Sequence, residues 1–220
     1  MDKKEIQRRR MMSYFIDAAK QIIDVEGPEL VSARKVADIA GYNSATIYNY
    51  FDNLDHLIFF ASMKYVKEYV MDLPKYTKGV SHPVEKYLKI WECFCIHSFN
   101  NPKIYQLIFF NKFSTSLNDV VTQYYKIFPE ELDQQEEELM PMLLEKNIYA
   151  RDYAALQACA KQGLIRKEHI YEINEMNLLM YQGMLQNILT QQLTYSLEEA
   201  VARMLKYIQQ VMKSYYLPKE

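Results

Sequence analysis

Residues 31–53 read VSARKVADIAGYNSATIYNYFDN, and this stretch decides the fold. The apolar residues of its first half recur at helical spacing: Val36, Ile39 and Ala40. Ser32 is placed to cap the start of that helix, and Gly41 suits the positive φ of a tight turn at its end. The stretch therefore predicts a helix, a short turn and a second helix, the layout that places a recognition helix in the major groove of DNA.

The second helical pattern needs few apolar anchors, which are Ala45, Ile47 and Phe51. Its other residues are polar or aromatic and are expected to face outward: Ser44, Thr46, Tyr48, Asn49 and Tyr50. A tyrosine hydroxyl at the end of a rigid ring suits a phosphate or a base edge. Short polar groups such as Ser44 and Asn49 are expected to read the base sequence.

Over about the first sixty residues the chain resembles the TetR family of bacterial transcriptional repressors. The resemblance is carried by an apolar first helix that ends at Gly27, then VSARKVADIAG, then ATIYNYF followed by Asn53 and Leu57. It implies an all-α fold with a three-helix DNA-binding domain at residues 1–52. A helical ligand-binding and dimerisation domain is expected at residues 53–220, with a helix over 53–72 connecting the two.

The resemblance also implies where DNA is contacted. Family positions that match Thr46, Tyr48 and Tyr50 commonly meet DNA, as does the position of Arg34. The capped helix start is itself suited to a phosphate. Together these arguments give the candidate DNA-binding residues Ser32, Arg34, Lys35, Ser44, Thr46, Tyr48, Asn49 and Tyr50.

One departure from the family pattern concerns the start of the fourth helix. Where the family often has a lysine, this chain has Leu54, so a phosphate contact is missing. Residues 8–10, all arginine, and Lys35 are candidates to compensate. The departure leaves an alternative open, a TetR-like helical interaction protein with weak or lost DNA binding.

The composition agrees with an all-α regulator. Five glycines and seven prolines among 220 residues leave few turn residues for a β fold. The net charge of −2 argues against a protein that coats nucleic acid indiscriminately. Residues 1–10 nevertheless carry five basic against two acidic side chains, as suits the tip of a specific DNA reader.

Other classes of protein lack support in the sequence. The sequence predicts a cytoplasmic protein with no membrane partner. It has three cysteines, an odd number, its N-terminus is charged, and it lacks an apolar run of ~20 residues. No phosphate-binding glycine loop, HExxH or GxSxG occurs, so neither an enzyme nor a cofactor is expected. Cys93, Cys95 and His97 resemble a metal trio, but residues two apart on a helix point to nearly opposite faces, so no metal site is predicted.

Beyond residue 53 the sequence predicts helices throughout. The fourth helix is expected to reach about Asp72 and to end at Leu73-Pro74, before a linker over 75–82. The helices expected after it span residues 84–99, 103–110, 117–127, 130–146, 152–162, 167–192 and 197–215.

The middle of the chain is rich in aromatic residues and methionine, which line apolar ligand pockets as well as ordinary cores. The candidate ligand-binding residues are Trp91, Phe99, Tyr105, Phe109, Phe113, Tyr124 and Phe128. The expected effector is a small apolar or aromatic molecule of unknown identity.

The last two long helices suggest a homodimer. The first of them is apolar on more than one side, so it is either covered by a second subunit or fully buried in a monomer. The candidate interface residues are Ile173, Met180, Gly183, Met184, Leu205 and Ile208. The family resemblance implies a four-helix bundle with a symmetry mate, a palindromic operator in double-stranded DNA, and repression that a ligand releases.

Overall fold

The computed structural model describes residues 3–110, 120–145 and 147–217. We number its α-helices in chain order: α1 Lys3–Glu26, α2 Ala33–Ala40, α3 Ser44–Ile47, α4 Leu54–Thr77, α5 Pro83–Asn100, α6 Pro102–Phe110, α7 Val120–Ile127, α8 Met140–Leu144, α9 Ile148–Lys161, α10 Ile170–Leu189 and α11 Leu197–Ser214. In these ranges no β-strand is present, and one isolated bridge pairs Ile165 with Tyr216. The predicted all-α fold is confirmed.

Local hydrogen bonds explain where the N-terminal helices begin. The Ser32 hydroxyl accepts the backbone N–H of Lys35 at 3.3 Å and caps α2. Gly41 follows α2 with φ of 75°, a conformation that favours glycine. The side chains of Asn43 and Asn53 cap α3 and α4 in the same way as Ser32 caps α2.

The predicted end of the fourth helix is wrong, because α4 continues through Pro74 to Thr77. Proline has no N–H to donate to the carbonyl four residues earlier, that of Val70. Here the side-chain amide of Gln135 donates to the Val70 oxygen at 2.8 Å instead. The freed carbonyl is therefore satisfied, and the helix does not have to stop.

The helix predicted over residues 130–146 is also wrong. This segment forms the 3₁₀ turns Pro129–Glu131 and Glu137–Leu139, and only then the short helix α8. Its acidic side chains turn towards lysines of α4 and α5 instead of lining one helix face. Glu131 lies 3.3 Å from the ammonium of Lys67, and Glu136 lies 2.8 Å from that of Lys86.

Two smaller differences concern helix ends. α9 begins at Ile148, four residues before the predicted start, because Asn147 caps it by accepting the N–H of Ala150. The segment predicted as a helix over 167–192 consists of the 3₁₀ turn Lys167–His169 followed by α10. The start of the helix predicted over 117–127 lies outside the described residues.

The core is continuous, and α4 lies at its centre. α4 packs on α1 at one end and on α5 along its length, while α11 packs on α5 and α10. Buried aromatic residues fill the space between these helices, and the largest fully buried side chains include Tyr87, Tyr105, Tyr124 and Tyr181. α4 thus joins the N-terminal helices to the rest of the molecule through direct packing.

The described ranges contain no helix that is both long and apolar enough to cross a membrane. Within the same ranges no group of three or more histidine, cysteine or acidic residues is placed to hold a metal ion.

Candidate nucleic-acid interface and buried polar cavity

The recognition segment is shorter as a helix than predicted. α3 covers only Ser44–Ile47, and residues 48–50 form a tight turn in which the N–H groups of Asn49 and Tyr50 bond the carbonyls of Thr46 and Ile47. Ile47 and Phe51 are buried and hold the segment against α1. The backbone is therefore a single helical turn continued by a tighter one.

Of the residues expected to face outward, Tyr48 and Asn49 are exposed, with Tyr48 52% exposed. Ser44, Thr46 and Tyr50 are half-buried, and the Tyr50 ring packs 6.0 Å from that of Phe15. Ala45, expected to be an anchor, is exposed instead, because a helix of one turn buries little more than Ile47. Ile39 of α2 is likewise 47% exposed.

Basic side chains differ in their freedom to reach a phosphate. Arg34 on α2 is exposed, as are Arg8 and Arg10 on α1, whereas Ser32 is half-buried. Lys35 forms an ion pair with Glu26 at 2.5 Å. Arg9 is paired with Glu130, and its guanidinium lies 5.3 Å from the centre of the Phe128 ring. To contact a phosphate in place of the missing lysine, Arg9 and Lys35 would therefore have to give up these contacts inside the protein.

Leu54 is half-buried at the first residue of α4. It lines a groove of about 610 Å³ together with Pro28, Val31 and Ile58. Its side chain packs against the core, which explains a leucine at this position without DNA.

A chain of aromatic contacts connects the recognition segment to the body. The Phe51 ring lies 5.7 Å from His56 and 5.8 Å from Phe60, and Phe60 lies 5.4 Å from Tyr124. Burial lowers the pKa of His56, although the Asp52 carboxylate opposes that shift. A neutral, buried His56 is thus packed between Phe51 and Phe60 at the junction.

The predicted ligand-binding aromatics do not form one pocket. Trp91, Phe99, Tyr105 and Phe109 are buried around Phe94 and Tyr181. The rings of Tyr124 and Phe128 lie 5.0 Å apart between their centres, tilted by 45°, in a separate cluster close to α4 and α1. Phe113 lies outside the described residues.

A buried polar cluster that the sequence analysis missed lies where α5, α9 and α10 meet. The Tyr87 hydroxyl and the Trp91 indole N–H donate to Asp152 Oδ1 at 2.7 and 2.9 Å. Asn177 Nδ2 in turn donates to the Tyr87 hydroxyl at 2.9 Å. The neighbouring Arg151 donates to the backbone carbonyls of residues 142 and 143 at 3.2 and 3.1 Å.

One oxygen of the Asp152 carboxylate has no partner in the described ranges. Oδ2 is buried and has no hydrogen-bond partner among the described residues. Burial raises the pKa of Asp152 to about 7, although the bonds from Tyr87 and Trp91 act in the opposite direction. Ile148 and Leu156 flank it at four residues on either side, so an acidic residue on an apolar helix face was the signal available in the sequence.

Asp152 borders a cavity of about 30 Å³, room for about one water molecule. The other wall residues are mostly apolar and aromatic: Tyr69, Ile90, Trp91, Phe94, Met142, Ile148, Arg151 and Ala155. Of the predicted ligand-binding residues, Trp91 alone belongs to these described walls. Tyr69 is a residue of α4, so the helix that follows the recognition segment forms part of the cavity.

The candidate dimer residues fall into two groups. Ile173 and Ile208 have no exposed surface in the single chain, and Met184 has little, so they belong to its own core and not to a contact with a partner. Gly183 is exposed, and Met180 and Leu205 are half-exposed. The outward apolar stripe of α10 consists of Met176, Leu179, Met180 and Gly183, and its most exposed member, Leu179, was missed.

Comparison with known proteins gives a consistent result for the N-terminal part. Residues 15–59 match the family described as bacterial regulatory proteins, tetR family. A curated relative, the HTH-type transcriptional regulator HbdR from Aromatoleum sp. (strain CIB), is 27% identical over 85 residues, which cover 39% of this chain and 36% of the relative. The chain thus matches about a third of the length of that relative.

Solved structures resemble nearly the whole chain. The TetR-family repressor FadR of Thermus thermophilus, in complex with lauroyl-CoA, has a TM-score of 0.59 at 12% identity, covering 95% of this chain and 96% of that one. The TetR-family regulator PfmR, also of Thermus thermophilus, has a TM-score of 0.52 at 14% identity, covering 94% and 96%. At such identities the likeness concerns the fold.

Proposed function

Because this chain belongs to the TetR family of bacterial regulatory proteins, we propose that it is a DNA-binding transcriptional repressor, released from its operator by a small molecule. The family consists of transcription factors without enzymatic activity, which agrees with the expectation of a non-enzyme. The observation that carries the proposal is the capped α2–turn–α3 unit, which exposes Arg34, Tyr48 and Asn49.

The proposed DNA-binding domain comprises residues 1–52, and α4 begins the effector and dimerisation domain at residues 53–220. Tyr48 and Asn49 are the side chains best placed to enter a major groove, because both are exposed at the tip of the segment. Arg34, Ser44 and Thr46 are proposed to contact phosphates or base edges near them. Ser32, Lys35 and Tyr50 are proposed to hold or flank this surface.

The proposed dimer forms through α10 and α11. A stripe of Met176, Leu179, Met180 and Gly183 on an exposed helix face is the surface that a second copy would cover. An added Cβ at Gly183 would meet nothing within 4 Å in the single chain, so this face is open to close approach by another helix. A twofold dimer then presents two recognition segments to a palindromic operator about one helical turn apart.

The position of α4 supports the proposed release by an effector. Tyr69 of α4 borders the buried cavity, and α4 begins three residues after Phe51. A molecule that enlarges the cavity displaces α4 and, through the contacts of Phe51 with His56 and Phe60, the recognition segment. The ligand shifts the equilibrium only by its difference in affinity between the two conformations.

Asn49→Ala is expected to weaken operator binding by about 1–3 kcal/mol, because loss of a base contact costs roughly that amount. The measurement is an electrophoretic mobility shift with the DNA that flanks the gene of this protein. Gln134→Ala, an exposed amide far from α3 in the sequence, is the matched control and is expected to bind as the wild type does. Equal affinity of all three proteins contradicts the assigned role of Asn49, and no binding at low salt favours the interaction-protein alternative.

Leu54→Lys is expected to strengthen operator binding and to steepen its dependence on salt by about one counterion. The lysine stem can cover the groove beside Val31 and Ile58 while its ammonium reaches a phosphate. Titrations at several salt concentrations measure the slope, and Leu54→Met is the control for packing. An unchanged slope would show that this end of α4 does not lie near the DNA backbone.

A further inference from the structure

The chemistry of the effector follows from the group that the buried cavity leaves unsatisfied. Asp152 is 6% exposed, and its Oδ1 already accepts hydrogen bonds from Tyr87 and Trp91. Oδ2 accepts none among the described residues, although it is buried. Once Asp152 is ionised, this buried oxygen has no donor from the described part of the chain, so a cationic ligand that donates to it is favoured and stabilises the ionised form.

The neighbouring cation does not meet this need. Arg151 directs Nε and Nη2 to the carbonyls of Met142 and Leu143 and leaves Oδ2 of Asp152 without a donor from the described side chains. Its guanidinium also lies 5.5 Å from the centre of the Phe109 ring. The unmet group in the cavity is therefore an acceptor when Asp152 is ionised, and these bonds of Arg151 go to backbone carbonyls instead.

The remaining walls favour a cation as well. Tyr69, Trp91 and Phe94 are aromatic, and their ring faces attract an ammonium group that has lost part of its water. The apolar walls Ile90, Met142 and Ile148 suit a hydrocarbon body. Among the described walls Asp152 is the one carboxylate, so it is the group to which an ammonium would donate, beside the guanidinium of Arg151.

We propose that the effector is a small primary amine with an aromatic or aliphatic body, whose ammonium group donates to Oδ2 of Asp152. This inference rests on the proposed function and names the effector class for it. The ligand enters from a neighbouring cleft of about 170 Å³ that shares the walls Ile90, Met142 and Ala155 with the cavity. Because the cavity itself holds about one water molecule, binding requires its walls to move apart, and Tyr69 of α4 is one of them.

Three probes of similar shape test the assignment: 2-phenylethylamine, 2-phenylethanol and phenylacetate. They present a cation, a neutral donor and an anion on the same aromatic body. Isothermal titration calorimetry with the full chain is expected to show the amine binding at least about tenfold more tightly than the alcohol, and phenylacetate least tightly. Tighter binding of phenylacetate would make Arg151 the selecting group, and no binding of any probe at ~1 mM would also overturn the proposal.

Asp152→Asn tests the residue itself. It retains an oxygen for the bonds from Tyr87 and Trp91 but places an N–H₂ group where the free oxygen was. The tenfold preference for the amine is expected to disappear, while Asp133→Asn, at an exposed carboxylate, keeps it. Persistence of the preference in Asp152→Asn overturns the proposal.

A second variant separates loss of selectivity from loss of folding. Ala155→Leu fills space shared by the cavity and the cleft and is expected to abolish binding of the amine in a protein that still melts cooperatively. Unchanged amine binding by this variant would place the ligand elsewhere. Calorimetry needs no DNA, and the mobility shift needs no ligand. A negative result in one experiment therefore rejects either the effector class or the repressor function without rejecting the other.

Discussion

Asp152→Asn is expected to stabilise the protein by roughly 4 kcal/mol at about pH 8 and by almost nothing at about pH 4. In the folded protein the pKa of Asp152 is raised from 3.8 to about 7 by burial. Ionising this carboxyl near neutral pH therefore opposes folding, whereas the amide of the variant has no proton to lose. The size of the effect follows from about three pKa units at 1.36 kcal/mol each.

The direction of the pH dependence follows from which state binds the proton. Between about pH 4 and pH 7 the folded chain keeps a proton on Asp152 that the unfolded chain has lost. Stability of the wild type is thus greatest at the acidic end, falls as the pH rises towards 7 and then levels off. Tyr87 and Cys159 face Asp152, but burial raises the pKa of both, that of Cys159 to about 12, so neither ionises in this range.

Urea unfolding at several pH values measures this effect. Wild type and Asp152→Asn are compared with Asp133→Asn, whose carboxylate is exposed. The contribution of Asp152 is the difference between the curves, since other groups that titrate are common to all three proteins. If Asp152→Asn and Asp133→Asn show the same dependence on pH as the wild type, Asp152 is ionised in the folded state at no cost.

Phe51→Ala is expected to lower the free energy of unfolding by about 3–5 kcal/mol. The Phe51 side chain is 1% exposed and its ring contacts those of Phe15, His56 and Phe60. It therefore holds α1, the recognition segment and the start of α4 together. Its removal leaves a cavity at the junction of the two proposed domains. The variant is also expected to lose operator binding.

Tyr48→Ala is the matched aromatic control, because Tyr48 lies three residues away and is 52% exposed. Its effect on stability is expected to stay within about 0.5 kcal/mol, while operator binding weakens. Thermal or urea unfolding gives the first quantity and a mobility shift the second. Equal stability of Phe51→Ala and Tyr48→Ala would show that the aromatic contacts at the junction contribute little.

The N-terminal elements could be predicted because their determinants are local. Ser32, Gly41 and Asn43 act within a few residues of themselves as caps and turn, so their roles can be read from the sequence. The length of α3 could not be predicted from the sequence, because the backbone tightens after Ile47 and brings Tyr50 and Phe51 onto α1. That packing depends on residues far from the segment.

The predictions that were wrong after residue 53 depend on contacts between residues that lie far apart in the sequence. Pro74 is tolerated because Gln135, 65 residues after Val70, satisfies the carbonyl that the proline leaves free. Glu131 and Glu136 leave a helical pattern because lysines of α4 and α5 pair with them. Ile173 and Ile208 have apolar spacing that suits a core and an interface equally, and the packing of α10 on α11 assigns them to the core.

The length of α4 sets how small a cavity change would be enough for the proposed release of DNA. Its 24 residues form a rod of ~36 Å, and Leu54 lies ~22 Å from Tyr69. A displacement of ~1 Å at Tyr69 would tilt α4 by about 5° about its far end, ~12 Å away, and would carry Leu54 through ~3 Å; a twofold mate would double the change in spacing to ~6 Å. That exceeds the ~3.4 Å rise of one base pair, so this lever would convert a small displacement at the cavity into a mismatch with the proposed operator.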